Sequence, residues 1–224
     1  MADPIWSNVI LIGDSLTQGS FDVYNGCWGS MLAQSLQRVS DVLSRGFSGY
    51  STRGIVKILP ELFANENFEK VSCVIILLGS NDCFTNAYGP NVPLEDTEKN
   101  LTTIITHLKS KGISSKKIIL LTPPVYHHQD SSEENGTRTP DEYSVGVKRV
   151  ADQLEVECVD INKITKEHPN SRSLFYDGLH FNRAGAQVVY DAVWPSLVNR
   201  IIDFHGSFEL KFPSYEVIEK PESD

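Results

Sequence analysis

Short runs of apolar residues alternate along the chain with longer segments in which apolar positions recur every three or four residues. Five such runs, several of them rich in Val and Ile, predict strands that are buried on both faces. They cover residues 9–12, 42–47, 71–78, 117–121 and 156–161. Three segments between them carry one apolar stripe each, which predicts amphipathic helices. The stripes consist of Trp28, Met31, Leu32 and Leu36, of Ile55, Ile58, Leu59, Leu62 and Phe63, and of Leu101, Ile104, Ile105 and Leu108.

Local signals mark the ends of further helices. The segment Thr139-Pro140-Asp141-Glu142 has the pattern of a capping box with Pro at the first helical position, so we predict a helix from there to about residue 154. Gly112 follows two lysines and predicts a left-handed helix end. The last helix is predicted over residues 184–202, with an interruption just before Pro195.

Strands that alternate with helices predict a parallel sheet with helices on both faces, which is a three-layer α/β/α domain. We expect one domain over residues 1–206 and an extended tail, 207–224, whose last residues are disordered. Residues 127–135 are polar and predict a surface loop. In an open sheet of this kind ligands bind beyond the carboxyl ends of the strands, so the residues that follow each strand are the candidates for chemistry.

Charge and composition restrict the possible partners. The 224 residues include 20 Lys and Arg against 29 Asp and Glu, and the resulting charge of −9 excludes nucleic acid and anionic membranes as partners. No apolar run is long enough to span a bilayer and no signal peptide is recognisable, so we expect a cytoplasmic protein. The four cysteines show no CxxC spacing, which predicts reduced thiols.

Candidate chemistry follows three of the predicted strands. Ser15 comes two residues after Gly13, where a tight turn would expose its hydroxyl beside free backbone N–H groups, as a nucleophile and an oxyanion hole require. The alternative is that Asp14 or Ser15 is an ordinary helix cap. Gly49 and Asn81 follow the next two strands, and each could direct an N–H group at a substrate oxygen, although both segments are also typical of plain turns.

A carboxylate and an imidazole lie three residues apart near the end of the chain. One turn of backbone between Asp177 and His180 would let the carboxylate hold one ring nitrogen while the other faces Ser15. The chain order Ser, Asp, His matches the α/β-hydrolases, but Ser15 lacks the G-x-S-x-G pattern because Thr17 stands at its last position.

Several alternatives remain open on the residues alone. A metal-dependent phosphoesterase could use acidic and His residues at the strand ends, and a non-catalytic binding module could share the fold. The candidate metal ligands are Asp14, Asp82, Asp177, His180, His127 and His128. Four aromatic residues could line an acyl pocket or belong to the core, namely Phe21, Trp28, Phe84 and Tyr126.

Four segments, taken together and in order, resemble the GDSL or SGNH hydrolase family. They are Gly13-Asp14-Ser15-Leu16, Gly49 within residues 47–52, Gly79-Ser80-Asn81-Asp82 and Asp177-Gly178-Leu179-His180. The wording around Gly49 and Trp28 is similar to the isoamyl acetate-hydrolysing esterase branch. The resemblance implies Ser15 as nucleophile, His180 as general base and Asp177 as its orienting carboxylate. It also implies an oxyanion hole made of the Ser15 and Gly49 N–H groups and the Asn81 amide.

The same resemblance implies a flavodoxin-like sheet with strand order 2-1-3-4-5 and a site with no cofactor and no metal. The implied activity is that of a serine esterase that hydrolyses small esters with short acyl or acetyl groups through an acyl-Ser15 intermediate. A lipase-like, phospholipase-like or thioesterase activity on longer acyl chains is the alternative. The only partner implied is a small-molecule ester.

Overall fold

A computed structural model describes residues 6–85, 90–127 and 137–219. Its strands are β1 (Ser7–Gly13), β2 (Ser40–Gly46), β3 (Val71–Leu77), β4 (Phe84–Thr85), β5 (Ile118–Leu121), β6 (Thr137–Arg138) and β7 (Glu157–Val159). Five of them form one sheet in the order β2-β1-β3-β5-β7, and every neighbouring pair is parallel. Strands β4 and β6 form a separate antiparallel ribbon.

The predicted strand order is confirmed for the five sheet strands, which follow 2-1-3-4-5 when counted among themselves. The higher numbers arise because the two-residue strands of the ribbon, which hydrophobic periodicity does not reveal, interrupt the series. The fifth predicted strand, 156–161, is too long. Its strand ends at Val159, because the Asp160 side chain accepts a hydrogen bond from the Lys163 N–H and caps a helix there.

Helices cover both faces of the sheet, as the alternation predicts. They are α1 (Ser15–Gln18), α2 (Trp28–Ser35), α3 (Thr52–Leu62), α4 (Leu94–Ser110), α5 (Pro140–Leu154), α6 (Ile161–Glu167), α7 (Arg183–His205) and α8 (Tyr215–Ile218). Helices α2 and α7 pack on one face and α3, α4 and α5 on the other. Within the described ranges, no helix combines the length and the apolar character that a membrane span requires.

Alternate residues of the central strands supply the two cores. On β1, Val9 and Leu11 face α2 and α7, whereas Ile10 and Ile12 face α3 and α4, and all four are fully buried. All seven residues of β3 are buried as well. A strand covered on both faces needs apolar residues at both parities, which is why these strands are continuous runs of Val, Ile and Leu.

The predicted helix ends are partly right. Helix α5 begins at Pro140 and ends at Leu154, but the Thr139 side chain makes no capping hydrogen bond. Gly112 adopts the expected left-handed conformation, with φ of 92°. The predicted interruption before Pro195 is wrong, since α7 continues through it to His205. Apolar side chains on both sides of Pro195, including Val193, are fully buried, and this packing offsets the lost backbone hydrogen bond.

The tail is in contact with the domain rather than simply extended. The Lys211 N–H donates to the Arg38 carbonyl at 2.8 Å, and the Arg38 guanidinium donates to the Pro213 carbonyl at 2.7 Å. The ring of Phe212 stacks on Trp6. Helix α8 follows, and residues 220–224, for which disorder was predicted, lie outside the described residues.

Candidate active site

Ser15 is placed by the tight exit of the chain from β1. The Asp14 carboxylate accepts a hydrogen bond from the Leu16 N–H at 2.9 Å and caps the short helix α1, of which Ser15 is the first residue. The indole of Trp28 donates to the Leu16 carbonyl at 3.0 Å and fixes this helix from the core side. Both readings of the motif therefore apply, because Asp14 is a helix cap and Ser15 stands at the helix start with its N–H free of helical bonding.

Asp177 and His180 are brought together by a turn that the Asp177 side chain itself stabilises. Its Oδ1 accepts hydrogen bonds from the backbone N–H groups of Leu179 and His180, at 3.0 and 2.7 Å. Gly178 has φ of 85°, and a Cβ there would lie 2.0 Å from the carbonyl oxygen of His127, so only glycine fits this turn.

Three side chains form a continuous hydrogen-bonded chain at this point. The Nδ1 of His180 lies 2.5 Å from Asp177 Oδ2, and its Nε2 lies 2.9 Å from the Ser15 hydroxyl. The side chains of His180 and Asp177 are about one third exposed. Burial raises the pKa of Asp177, but the hydrogen bonds from His180 and Leu179 outweigh it and hold this pKa below its ordinary value. Asp177 is therefore a carboxylate opposite the imidazole.

Two aromatic contacts support the imidazole and its turn. The ring of Tyr176 stacks on that of His180, with centroids 5.6 Å apart and planes 17° from parallel. His127, predicted as a solvated loop residue or metal ligand, instead donates its N–H to the Gly178 carbonyl at 2.9 Å and bonds Ser171 through its ring. The sequence pattern identified neither role, because both contacts join segments that lie apart along the chain. His128 lies outside the described residues.

Gly49 and Asn81 lie on loops that reach the same edge of the sheet. The strands that precede them pair with β1 so that Gly13 lies opposite both Gly46 and Leu77. Gly49 has φ of 78° in a turn closed by the Tyr50 N–H on the Phe47 carbonyl. The Asn81 amide donates one hydrogen to the Tyr50 carbonyl at 2.9 Å, and its second N–H is available to a ligand.

Two carboxyl groups are buried beside these loops. Asp82 accepts hydrogen bonds from the N–H and hydroxyl of Thr52 and from the hydroxyl of Thr97, and so joins the Asn81 loop to the start of α3. Asp14 is fully buried and its Oδ2 has no hydrogen-bond partner. Burial, together with the nearby charge of Asp82, raises the pKa of Asp14 to about 7 although the Leu16 N–H and the charge of Arg138 oppose this.

A small cavity of about 30 Å³ opens directly beside the Ser15 hydroxyl. Its lining includes Gly19, Asp22, Tyr176, His180 and Phe181. The aromatic residues proposed from sequence do not line it. Trp28 belongs to the core and Phe84 contacts the Arg138 guanidinium, so Tyr176 and Phe181 are the aromatic residues that the sequence pattern missed.

The remaining sequence alternatives were examined at the same positions. Among the described residues, no group of three or more His, Cys, Asp or Glu side chains is arranged to hold a metal ion. All four cysteines are free thiols. Burial raises the pKa of Cys83 to about 12, so this thiol stays protonated at neutral pH despite its place beside Asn81.

Comparison with known sequences identifies the family. The GDSL-like Lipase/Acylhydrolase family matches residues 11–188, which include the Ser15, Asp177 and His180 segments. The chain belongs to this family of carboxylic ester hydrolases. Among its curated relatives, the isoamyl acetate-hydrolyzing esterase 1 homolog of Homo sapiens is 32% identical over 88% of this chain and 84% of its own length. The GDSL esterase/lipase WDL1 of Oryza sativa subsp. japonica is 28% identical over 82% and 75%.

Solved structures agree on the fold. A lipase/acylhydrolase from Enterococcus faecalis superposes with a TM-score of 0.70 at 21% identity, over 92% of this chain and all of that one. The acetyl xylan esterase AlAXEase gives a TM-score of 0.69 at 21% identity, over 84% and 98%. The three-layer α/β/α fold is therefore shared across distant sequences.

We predict that Asp14→Asn removes a pH-dependent loss of stability. The pKa of Asp14 is about 7 when folded and 3.8 as an ordinary carboxyl. Between these values the folded protein keeps a proton that the unfolded chain releases, so its free energy of unfolding falls by ~1.4 kcal/mol for each unit of rising pH. Urea unfolding of both proteins at pH 5, 6 and 7.5 measures this difference. A wild type and variant whose stabilities change in parallel with pH would contradict it.

Proposed function

We propose that the protein is a serine esterase in which Ser15 attacks the carbonyl carbon of a small ester. His180 takes the hydroxyl proton as Ser15 Oγ bonds to the acyl carbon, and then passes the proton to the departing alcohol. Water, activated by the same His180, hydrolyses the acyl-Ser15 ester and restores the enzyme. The observation that carries this proposal is the hydrogen-bonded chain from Asp177 through His180 to Ser15.

The roles within this chain follow from hydrogen-bond chemistry. The Asp177 carboxylate can only accept, so Nδ1 of His180 carries the proton and donates it to Asp177 Oδ2. Nε2 of the neutral ring is then an acceptor, and the Ser15 hydroxyl donates to it across 2.9 Å. Asp177 thereby selects the tautomer that can act as a base, and its negative charge stabilises the imidazolium that forms.

The negative oxygen of the tetrahedral intermediate needs hydrogen-bond donors close to Ser15. We infer that these donors are the backbone N–H groups of Ser15 and Gly49 and the second N–H of the Asn81 amide. The bond from Asn81 to the Tyr50 carbonyl supports this assignment, because it orients the amide before substrate arrives. A preorganised donor of this kind contributes without rearrangement during the reaction.

A short acyl group is the substrate feature that the site supports best. The cavity of about 30 Å³ beside Ser15 has the volume of about one water molecule, which suits an acetyl methyl group better than a long chain. The names of the relatives, an isoamyl acetate-hydrolyzing esterase homolog and an acetyl xylan esterase, point the same way. Exposed Val23 and Tyr24, next to Asp22 of the cavity wall, favour the longer-chain alternative.

Ser15→Ala should abolish both turnover and covalent labelling. Loss of the nucleophile is expected to lower kcat for p-nitrophenyl acetate by at least roughly 10³-fold and to prevent labelling by a fluorophosphonate probe. Ser110→Ala, a change at the exposed end of α4, is the matched control and should behave as wild type. Near-normal turnover by a correctly folded Ser15→Ala protein would refute the proposed mechanism.

Asp177→Asn tests the tautomer argument. An amide N–H₂ group facing Nδ1 would favour the ring with its proton on Nε2, which cannot accept the Ser15 proton, so we expect kcat to fall on the order of 10³ to 10⁴-fold. Asp191→Asn, on the exposed surface of α7, is the control. Stopped-assay kinetics at matched thermal stability give the comparison, and a loss below about tenfold would argue against Asp177 as the orienting group.

The acyl-length proposal is tested with a panel of p-nitrophenyl esters. We expect kcat/KM to fall from acetate to butyrate and to be lowest for palmitate, because each methylene beyond the cavity is left without a pocket. Gly19→Ala sharpens the test, since a methyl group at this cavity-lining position meets no atom within 4 Å and the variant should fold. It should reduce kcat/KM for butyrate more than for acetate. A preference for palmitate would overturn the short-chain assignment.

A further inference from the structure

Arg138 reaches the Asn81 loop from a distant part of the sequence. It lies on β6 and pairs with Phe84 of β4, the strand that begins three residues after Asn81. The Thr139 N–H donates to the Cys83 carbonyl at 3.3 Å and closes this ribbon against the loop. The ribbon thus places a guanidinium group beside the segment that carries the candidate oxyanion donor.

The Arg138 guanidinium binds the backbone of that loop directly. Its Nη1 donates a hydrogen bond to the carbonyl of Ser80. This carbonyl belongs to the planar peptide unit that also contains the Asn81 nitrogen, so holding the oxygen fixes the orientation of the Asn81 backbone. The Cys83 thiol donates to the same oxygen at 3.3 Å, but a thiol is the weaker donor.

The guanidinium is itself held in place by aromatic rings. Its central carbon lies 4.3 Å from the centroid of the Phe84 ring and 5.7 Å from that of Tyr126. Such cation–π contacts restrict the position of a long side chain that would otherwise sample many rotamers. The arrangement therefore combines a strong donor with a fixed geometry, which are the two properties needed to position a backbone carbonyl.

The charge of Arg138 also suits its surroundings. Two buried carboxyl groups, Asp14 and Asp82, lie next to the loops of the site, and the positive charge of Arg138 acts on Asp14 against the effect of burial. A neutral side chain at position 138 would leave these acids without that opposing charge. Both the hydrogen bond and the charge act at the base of the site, away from the Ser15 hydroxyl.

We propose that Arg138 is a positioning residue for Asn81, which fixes the Ser80–Asn81 peptide so that the amide side chain meets the oxyanion of the tetrahedral intermediate. The side chain of Asn81 is restrained at its other end by the Tyr50 carbonyl. Arg138 and Tyr50 thereby hold the residue from the backbone and from the amide. This inference rests on the proposed esterase function and adds to it a residue outside the four family motifs.

Kinetics of Arg138→Met test the proposal in the full chain. Because a displacement of about 1 Å at a reacting group can cost 10²-fold, we expect kcat for p-nitrophenyl acetate to fall about 10- to 100-fold with KM changed less than about threefold. Arg149→Met, which removes only an exposed ion pair with Glu98 on α5, is the matched control and should keep wild-type kinetics. A raised KM with unchanged kcat would overturn the assignment.

A double-mutant cycle with Asn81→Ala separates positioning from general loss of structure. Asn81→Ala alone should lower kcat about 10² to 10³-fold. If Arg138 acts through Asn81, the Arg138→Met change should cost less than about threefold in the Asn81→Ala background. An equal loss in both backgrounds would show that Arg138 does not act through Asn81. Should Arg138→Met fail to fold, Arg138→Lys, which keeps the charge but not the planar geometry, is tested in the same cycle with the same criteria.

The experiment also distinguishes this inference from the proposed function. If the esterase proposal fails, wild-type protein is neither labelled by the fluorophosphonate nor dependent on Ser15. If only the positioning role fails, wild-type protein is labelled and active, and the Arg138→Met loss is the same with and without Asn81. Arg138→Met labelling rates follow kcat when the role is correct, because the phosphonyl oxygen occupies the same donors as the oxyanion.

Discussion

The site depends on how closely backbones approach each other at the carboxyl ends of β1 and β2. A Cβ at Gly13 would lie 2.5 Å from the carbonyl oxygen of Leu77, and one at Gly46 would lie 2.0 Å from the N–H nitrogen of Gln18. No side chain fits at either position. Because both strands end without side chains, α1 can start directly above the sheet, and Ser15 stands next to the loops that follow β2 and β3. The placement of the nucleophile is thus a packing constraint before it is a chemical one.

The loops of the site have little regular structure of their own and are held by one another. The Gln18 side chain accepts a hydrogen bond from the Ser48 N–H, Asn81 donates to the Tyr50 carbonyl, and Asp82 accepts from Thr52. Each bond joins two different strand ends, so a displaced loop would lose contacts with both neighbours. This mutual restraint explains how donors on three separate loops can be oriented before substrate binds, which electrostatic catalysis requires.

Much of the fold was predictable because its signal is local. Apolar runs and stripes gave the five sheet strands in their correct order, and the position of Ser15 after a strand and of Asp177 before His180 gave the candidate site. What could not be predicted depends on distant partners or very short elements. The ribbon that carries Arg138 has two residues per strand, and the contact of His127 with the Gly178 carbonyl joins residues that share no periodic pattern. Helix α7 continues past Pro195 because packing outweighs a local preference.

The buried acids beside the nucleophile pose an electrostatic problem that the structure answers. Acyl transfer at Ser15 creates a negative oxygen, and a carboxylate held nearby in a medium of low dielectric constant would repel it. Burial raises the pKa of both Asp14 and Asp82. Asp14 is therefore largely protonated below pH 7, and it caps α1 through an acceptor oxygen that a neutral carboxyl retains. The carboxyl that must stay charged is Asp177, which is partly exposed and accepts three hydrogen bonds. The environment of each acid thus matches its place in the site, with neutral carboxyl groups under the oxyanion and the carboxylate behind the imidazole.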